Sequence, residues 1–110
     1  MLARVLRVAG YEVAAFASGT TFLESLATRV PACVVIDVHM PGLSGLEVQS
    51  RLRTMGSAIP AVFITASEER KLDDDVRAAQ GTALLRKPFP SADLLRAVES
   101  ALQGTTAGPS

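Results

Sequence analysis

Leu2, Val5, Leu6 and Ala9 recur at the i, i+3, i+4 and i+7 spacing of one helical face, and Gly10 follows where a helix needs an exit residue. The chain therefore opens with a short amphipathic helix. Tyr11, Val13 and Phe16 lie in a stretch of strand formers closed by Ser18 and Gly19, which predicts a strand over residues 11–16. Phe22, Leu23, Leu26 and Val30 then share a stripe that Pro31 stops, as in a helix. Cys33, Val34, Val35 and Ile36 are consecutive apolar residues without the alternation of a half-exposed strand. Strand 33–37 is thus expected to be covered on both faces, which favours a parallel sheet.

The same order repeats downstream. Ser44 and Glu47 form an S-x-x-E capping box that starts a helix through Met55, and residues 61–65 are another buried strand. Ser67 with Glu68 and Glu69 caps a helix that runs to about Gln80, and residues 83–86 form a short strand. Ser91 caps a last helix with Leu94, Leu95, Val98 and Leu102 on one stripe, and residues 104–110 read as a frayed tail. The pattern is four strands and five helices in βαβ alternation, an α/β doubly wound parallel sheet in one domain over residues 1–103.

Composition narrows the function classes. Eleven basic residues balance eleven acidic ones, which excludes a strongly basic binder and predicts no direct nucleic acid contact. The longest apolar runs are about five residues, far below the ~20 that span a bilayer, so no membrane is expected. Cys33 is the only cysteine, so no internal disulfide or zinc cluster forms, and a cytoplasmic location is expected.

Ligands of parallel α/β sheets gather at the carboxyl ends of the strands. Three polar residues end three strands here: Asp37, Thr65 and, after the last strand, Lys87. A carboxylate, a hydroxyl and an ammonium on one crevice suit a phosphoryl site as nucleophile, hydrogen-bond donor and counter-charge. Taken singly, each is also an ordinary turn or cap residue at a strand end.

The blocks V-V-I-D-V-H-M-P-G-L-S-G-L-E at 34–47, F-I-T-A-S at 63–67 and L-R-K-P-F at 85–89 give the chain its resemblance to response regulator receiver domains, of flavodoxin-like fold. That resemblance implies that Asp37 accepts a phosphoryl group from a sensor histidine kinase. It further implies that Thr65 and Lys87 contact that group, that the peptide before Pro88 is cis, and that the His39 backbone carbonyl joins Asp37 in binding Mg2+. The loop from Thr65 to Glu69 is the expected moving element, read by a downstream protein partner or output domain. Leu84 stands at the switch position, where the family often carries an aromatic, so its rotamer response is expected to be weaker or different.

Two departures stand out. The family's first strand ends in an acidic pair that holds the magnesium ion, whereas no carboxylate precedes Glu12 here. The difference is about 12–15 residues by ordinary element lengths, so the resemblance implies a receiver lacking its first strand, incomplete at the N-terminus, with weakened magnesium binding expected. That strand lies between strands 11–16 and 33–37 in the family's order. Losing four buried side chains at ~1.5–3 kcal/mol each removes ~6–12 kcal/mol, comparable with a whole domain's stability, so low cooperativity of folding is expected. The open edges favour association, a homodimer included. The alternative function is a phosphorylation-impaired interaction module, or a truncated fragment of a longer transcriptional response regulator.

Other features have plain readings. The acidic run from Glu68 to Asp75 reads as a solvated helix face, His39 lacks partners for a triad or zinc site, and Cys33 is a small core residue. Gly42 and Gly45 are explained by turn geometry after Pro41.

Overall fold

A computed structural model describes residues 2–39, 42–57, 59–66, 71–78 and 83–107. The elements are α1 (Leu2–Val8), α2 (Gly19–Ser25), β1 (Val34–Asp37), α3 (Gly45–Thr54), β2 (Ala61–Thr65), α4 (Lys71–Ala78), β3 (Ala83–Arg86) and α5 (Ser91–Ala107). The strands form a parallel sheet in the order β1-β2-β3, with Val34 opposite Ala61 and Val62 opposite Ala83.

Side chains alternate across the pleat, and that alternation sorts them into two layers. Ile36, Ala61 and Phe63 pack with Phe22 of α2, Val48 and Leu52 of α3 and Val76 of α4. Val35 and Leu85 pack on the opposite side with Leu6 of α1 and Leu94 and Val98 of α5. Helices therefore cover both faces, the doubly wound α/β arrangement expected from the unbroken apolar runs. Every residue of β2 is buried, as its central place requires. No described helix is long and apolar enough to cross a membrane.

Helix ends follow local chemistry. Gly10 and Gly56 have φ of +102° and +79°, and each closes its helix with paired backbone bonds. The Tyr11 N–H donates to Leu6 O at 3.1 Å and the Ser57 N–H to Leu52 O at 2.9 Å. This left-handed exit suits glycine, which has no Cβ to crowd the following carbonyl.

Three expectations are corrected. Residues 11–16 are extended but form no strand, so the described sheet has three strands rather than four. Strand propensity supplies the extended shape, but a ladder needs a strand to pair with, and this segment pairs with none among the described residues. Side chains hold it instead. Tyr11 and Val13 rest on the α1–α5 cluster, Arg7 donates to the Val13 carbonyl at 3.2 Å, Glu12 pairs with Arg29, and the Phe16 ring meets Phe22 edge-on.

The second helix stops at Ser25 and does not reach Val30. From Leu26 onward the amides reach back mainly three residues, Ala27 to Glu24 and Thr28 to Ser25, and the chain tightens into a turn. Val30 precedes Pro31, which disfavours helical backbone there, and it is 66% exposed. At the other end α5 continues through Gly104 to Ala107, where a tail was expected. Adding residues to a formed helix is inexpensive even for poor formers. The expected cap at Ser67–Glu69 and the helix end at Gln80 lie outside the described residues.

Leu94 is wholly buried, so Leu94→Ala is expected to lower unfolding free energy by ~2–5 kcal/mol in urea titration, whereas Val30→Ala leaves the midpoint nearly unchanged. Burial pushes the Cys33 thiol up to about 11, a backbone hydrogen bond at Val34 being the smaller, opposing influence. The folded chain thus keeps a proton that the unfolded chain sheds near 9. This contribution is complete below pH 9 and is lost as pH rises towards 11. Unfolding curves of Cys33→Ser should accordingly fall less steeply across that window than those of the wild type; superimposable pH profiles would contradict this.

Candidate functional site

β1, β2 and β3 run in parallel and end together, which brings their last residues to one edge. Asp37 stands opposite Ile64, and Thr65 stands opposite Arg86. Pairing continues past the strands: the Val38 N–H donates to Ile64 O at 2.8 Å and the Lys87 N–H to Thr65 O at 2.7 Å. Lys87 and Asp37, fifty positions apart in sequence, are thereby held by backbone bonds to the same central strand.

Their side chains meet. Lys87 Nζ lies 3.3 Å from Asp37 Oδ2, and Asp37 Oδ1 accepts the His39 N–H at 3.1 Å. The Asp37 side chain is 35% exposed and that of Lys87 45% exposed, so the pair is open to an incoming reagent and screened by water. Thr65 is fully buried at the end of β2, one register step beyond the residue opposite Asp37. Leu84 is half-buried against the cluster of Phe63 and Val76, on the face away from α5. The Lys87–Pro88 peptide is cis. His39 is exposed, and its backbone N–H rather than its ring engages Asp37.

Behind Asp37 the chain turns into α3 through the capping box read from the sequence. Ser44 Oγ accepts the Glu47 N–H at 3.2 Å, and Glu47 Oε1 accepts the Ser44 N–H at 2.9 Å. The Gly45 N–H donates to Val38 O at 3.0 Å, which ties the first residue of α3 to the residue after Asp37.

Two features were not legible in the sequence. Asp73, read as part of a solvated face, instead turns toward β3. Its two oxygens accept from Arg86 Nη1 and Nη2, each at 3.2 Å, while Asp74 pairs with Arg77 on the exposed side of α4. The second is Gly45. Unlike Gly42, whose φ of +77° marks a turn, Gly45 is a helical residue pressed against β1, and turn geometry does not account for it.

For a divalent ion the donors are meagre. Among the described residues no three His, Cys, Asp or Glu side chains gather as metal ligands. Asp37 offers one carboxylate, already engaged by Lys87 and His39, and His39 offers its carbonyl. Magnesium asks for near-octahedral oxygen coordination, commonly with one or two carboxylates and substrate oxygens, and these two groups alone do not fit it.

Comparison with known proteins places these features. The family model described as the response regulator receiver domain matches residues 1–99. Nodulation protein W of Bradyrhizobium diazoefficiens is 40% identical over 104 residues, covering 93% of this chain and 45% of its own length. The transcriptional regulatory protein PrrA of Mycobacterium tuberculosis is 36% identical over 110 residues, covering 96% and 46% respectively. Among solved structures, a response regulator receiver protein from Burkholderia phymatum superimposes with a TM-score of 0.81 at 39% identity, over 93% of this chain and 83% of that one. The response regulator StyR gives 0.84 at 39% identity, over 96% and 54%. The chain spans about half the length of the curated relatives it matches.

The Asp73–Arg86 pair is bidentate but about a third to a half exposed. A double-mutant cycle with Asp73→Asn and Arg86→Gln is expected to give a coupling of ~0.5–1 kcal/mol in dilute buffer, shrinking in molar salt.

Proposed function

This chain belongs to the family of response regulator receiver domains, and we propose that it is the phosphoacceptor module of a two-component relay. Asp37 takes a phosphoryl group from a sensor histidine kinase, and the modified domain presents an altered face to a downstream protein partner or output domain. The observation that supports this most directly is the contact of Lys87 with Asp37 at the carboxyl end of a parallel sheet. On this reading the chain is a cytoplasmic signalling module, not an enzyme turning over a separate substrate.

The chemistry follows from the side chains. An Asp37 oxygen forms a bond to phosphorus while the bond from phosphorus to the donor imidazole nitrogen breaks. That nitrogen keeps the electron pair, and the product is an acyl phosphate on Asp37 that water later hydrolyses to carboxylate and free phosphate. The new group carries more negative charge and more acceptors than the carboxylate it replaces. Lys87 supplies the counter-charge, and the Thr65 hydroxyl is the neutral donor drawn toward it. A Thr65 shift would be felt at Leu84, which sits on the neighbouring strand against the α4 layer. Leu84 is small and aliphatic, so it answers by repacking rather than by swinging a ring.

Asp37 is the one carboxylate that the described residues bring to the site, and this favours a second reading, a receiver that binds partners with little or no phosphotransfer. Incubation with acetyl phosphate and Mg2+ separates the two. The wild type should gain the mass of one phosphoryl group in a hydroxylamine-labile form, and Asp37→Asn should not. A wild type that stays unmodified under conditions that modify another receiver would point to the interaction module, and an equal adduct on Asp37→Asn would overturn the assignment of Asp37.

A further inference from the structure

Gly45 begins α3 and is buried, and nothing in its backbone conformation asks for glycine. Space does. A Cβ at this position would lie 2.5 Å from the Asp37 carbonyl oxygen, 3.1 Å from its carbonyl carbon and 2.8 Å from Ile36 Cγ2. Two of these three atoms are main chain, and they belong to a residue that β2 holds in register. The helix cannot simply withdraw either. The Gly45 N–H is bonded to Val38 O at 3.0 Å, and the Ser44–Glu47 box fixes the same turn. Any side chain at 45 must therefore push the first turn of α3 away from the peptide of Asp37 or push that peptide along.

We infer that Gly45 is a positioning residue for Asp37: its missing Cβ lets α3 seat directly on the Asp37 peptide and so sets where the carboxylate stands relative to Lys87 and His39. The inference rests on the phosphoacceptor reading for its meaning, but the geometry can be tested apart from it. Gly19 is the natural comparison. A Cβ there would come within 2.5 Å of Val48 Cγ2, a side-chain methyl in the α2–α3 packing, its next neighbours being Leu43 Cβ at 3.4 Å and Leu43 O at 3.7 Å, with no atom of Asp37 among these three. Steric load at Gly19 falls on the core, whereas at Gly45 it falls on the main chain of the reactive residue.

The experiment compares Gly45→Ala and Gly19→Ala with wild type at a temperature where all are folded. Two readouts are taken: the rate of acetyl phosphate labelling, and the amide resonance of His39, whose N–H donates to Asp37 Oδ1. Gly45→Ala should label about 10- to 100-fold more slowly, as expected for a misplacement of the order of an ångström, and should move the His39 amide. Gly19→Ala should lose stability yet label within about twofold of wild type with the His39 amide in place. The proposal is overturned if Gly45→Ala labels and resonates like wild type, or if Gly19→Ala slows labelling equally. Should wild type itself take no label, the phosphoacceptor reading fails, and the positioning role is decided by the His39 amide alone. Should Gly45→Ala not fold, Ser44→Ala relaxes the same turn without adding atoms. It should then shift the His39 amide and, where wild type labels, slow labelling severalfold; an unmoved amide overturns the proposal.

Discussion

β2 is the constraint on which the remaining structure depends. It is the one described strand with neighbours on both edges, and helix layers bury both its faces. Each flanking strand takes its register from it. Because the ladder is parallel, Asp37 and Lys87 leave their strands at the same end, and the last bonds of each ladder fall on Ile64 and Thr65. A shift of one residue in either pairing would exchange the faces of the shifted strand and separate the two side chains. The central strand's five buried residues, none of which carries a charge, thus place the charged pair.

The ion pair itself is modest as a source of stability. Both partners are partly exposed, and water screens their attraction. Under the proposed function this weakness suits the site, since a lysine locked in a dry pair with the carboxylate would resist an incoming phosphoryl group. The firmer support comes from below, where Thr65 and Ile64 are buried and β1 is pinned between Ile36 packing and the first turn of α3. Asp37 and Lys87 are loosely held at their tips and tightly held at their main chain.

What could be read from the sequence was whatever one segment decides by itself. The apolar runs at 34–36 and 61–64 have no polar alternation, and they became β1 and β2, of which β2 is wholly buried while β1, at the edge of the described sheet, is buried only at Ile36. Ser44 and Glu47 lie three apart and cap their helix, and Asp37 and Lys87 were legible because polar residues that end buried strands of a parallel sheet are directed to a common edge. The misread parts depend on a second segment. Residues 11–16 have the composition of a strand, but they pair with no described strand. Val30 lies on a helical stripe, but Pro31 and the tightening turn remove it from that face. The acids of α4 all looked solvated, and only folding shows that Asp73 meets Arg86. Gly45 resembles Gly42 in sequence, and only the approach of Asp37's carbonyl separates their reasons.

Arg86 and Lys87 are adjacent, carry equal charge, and are sent by the pleat to opposite sides of β3. The guanidinium, planar and forked, meets both oxygens of Asp73 on one side; the ammonium, a single point of charge on a flexible stem, meets one oxygen of Asp37 on the other. Reversing the two letters would conserve composition, charge and strand propensity. It would nevertheless offer Asp37 a two-toothed clamp and leave α4 with a one-point tether. The written order of two like charges therefore decides which carboxylate is fastened and which is left approachable.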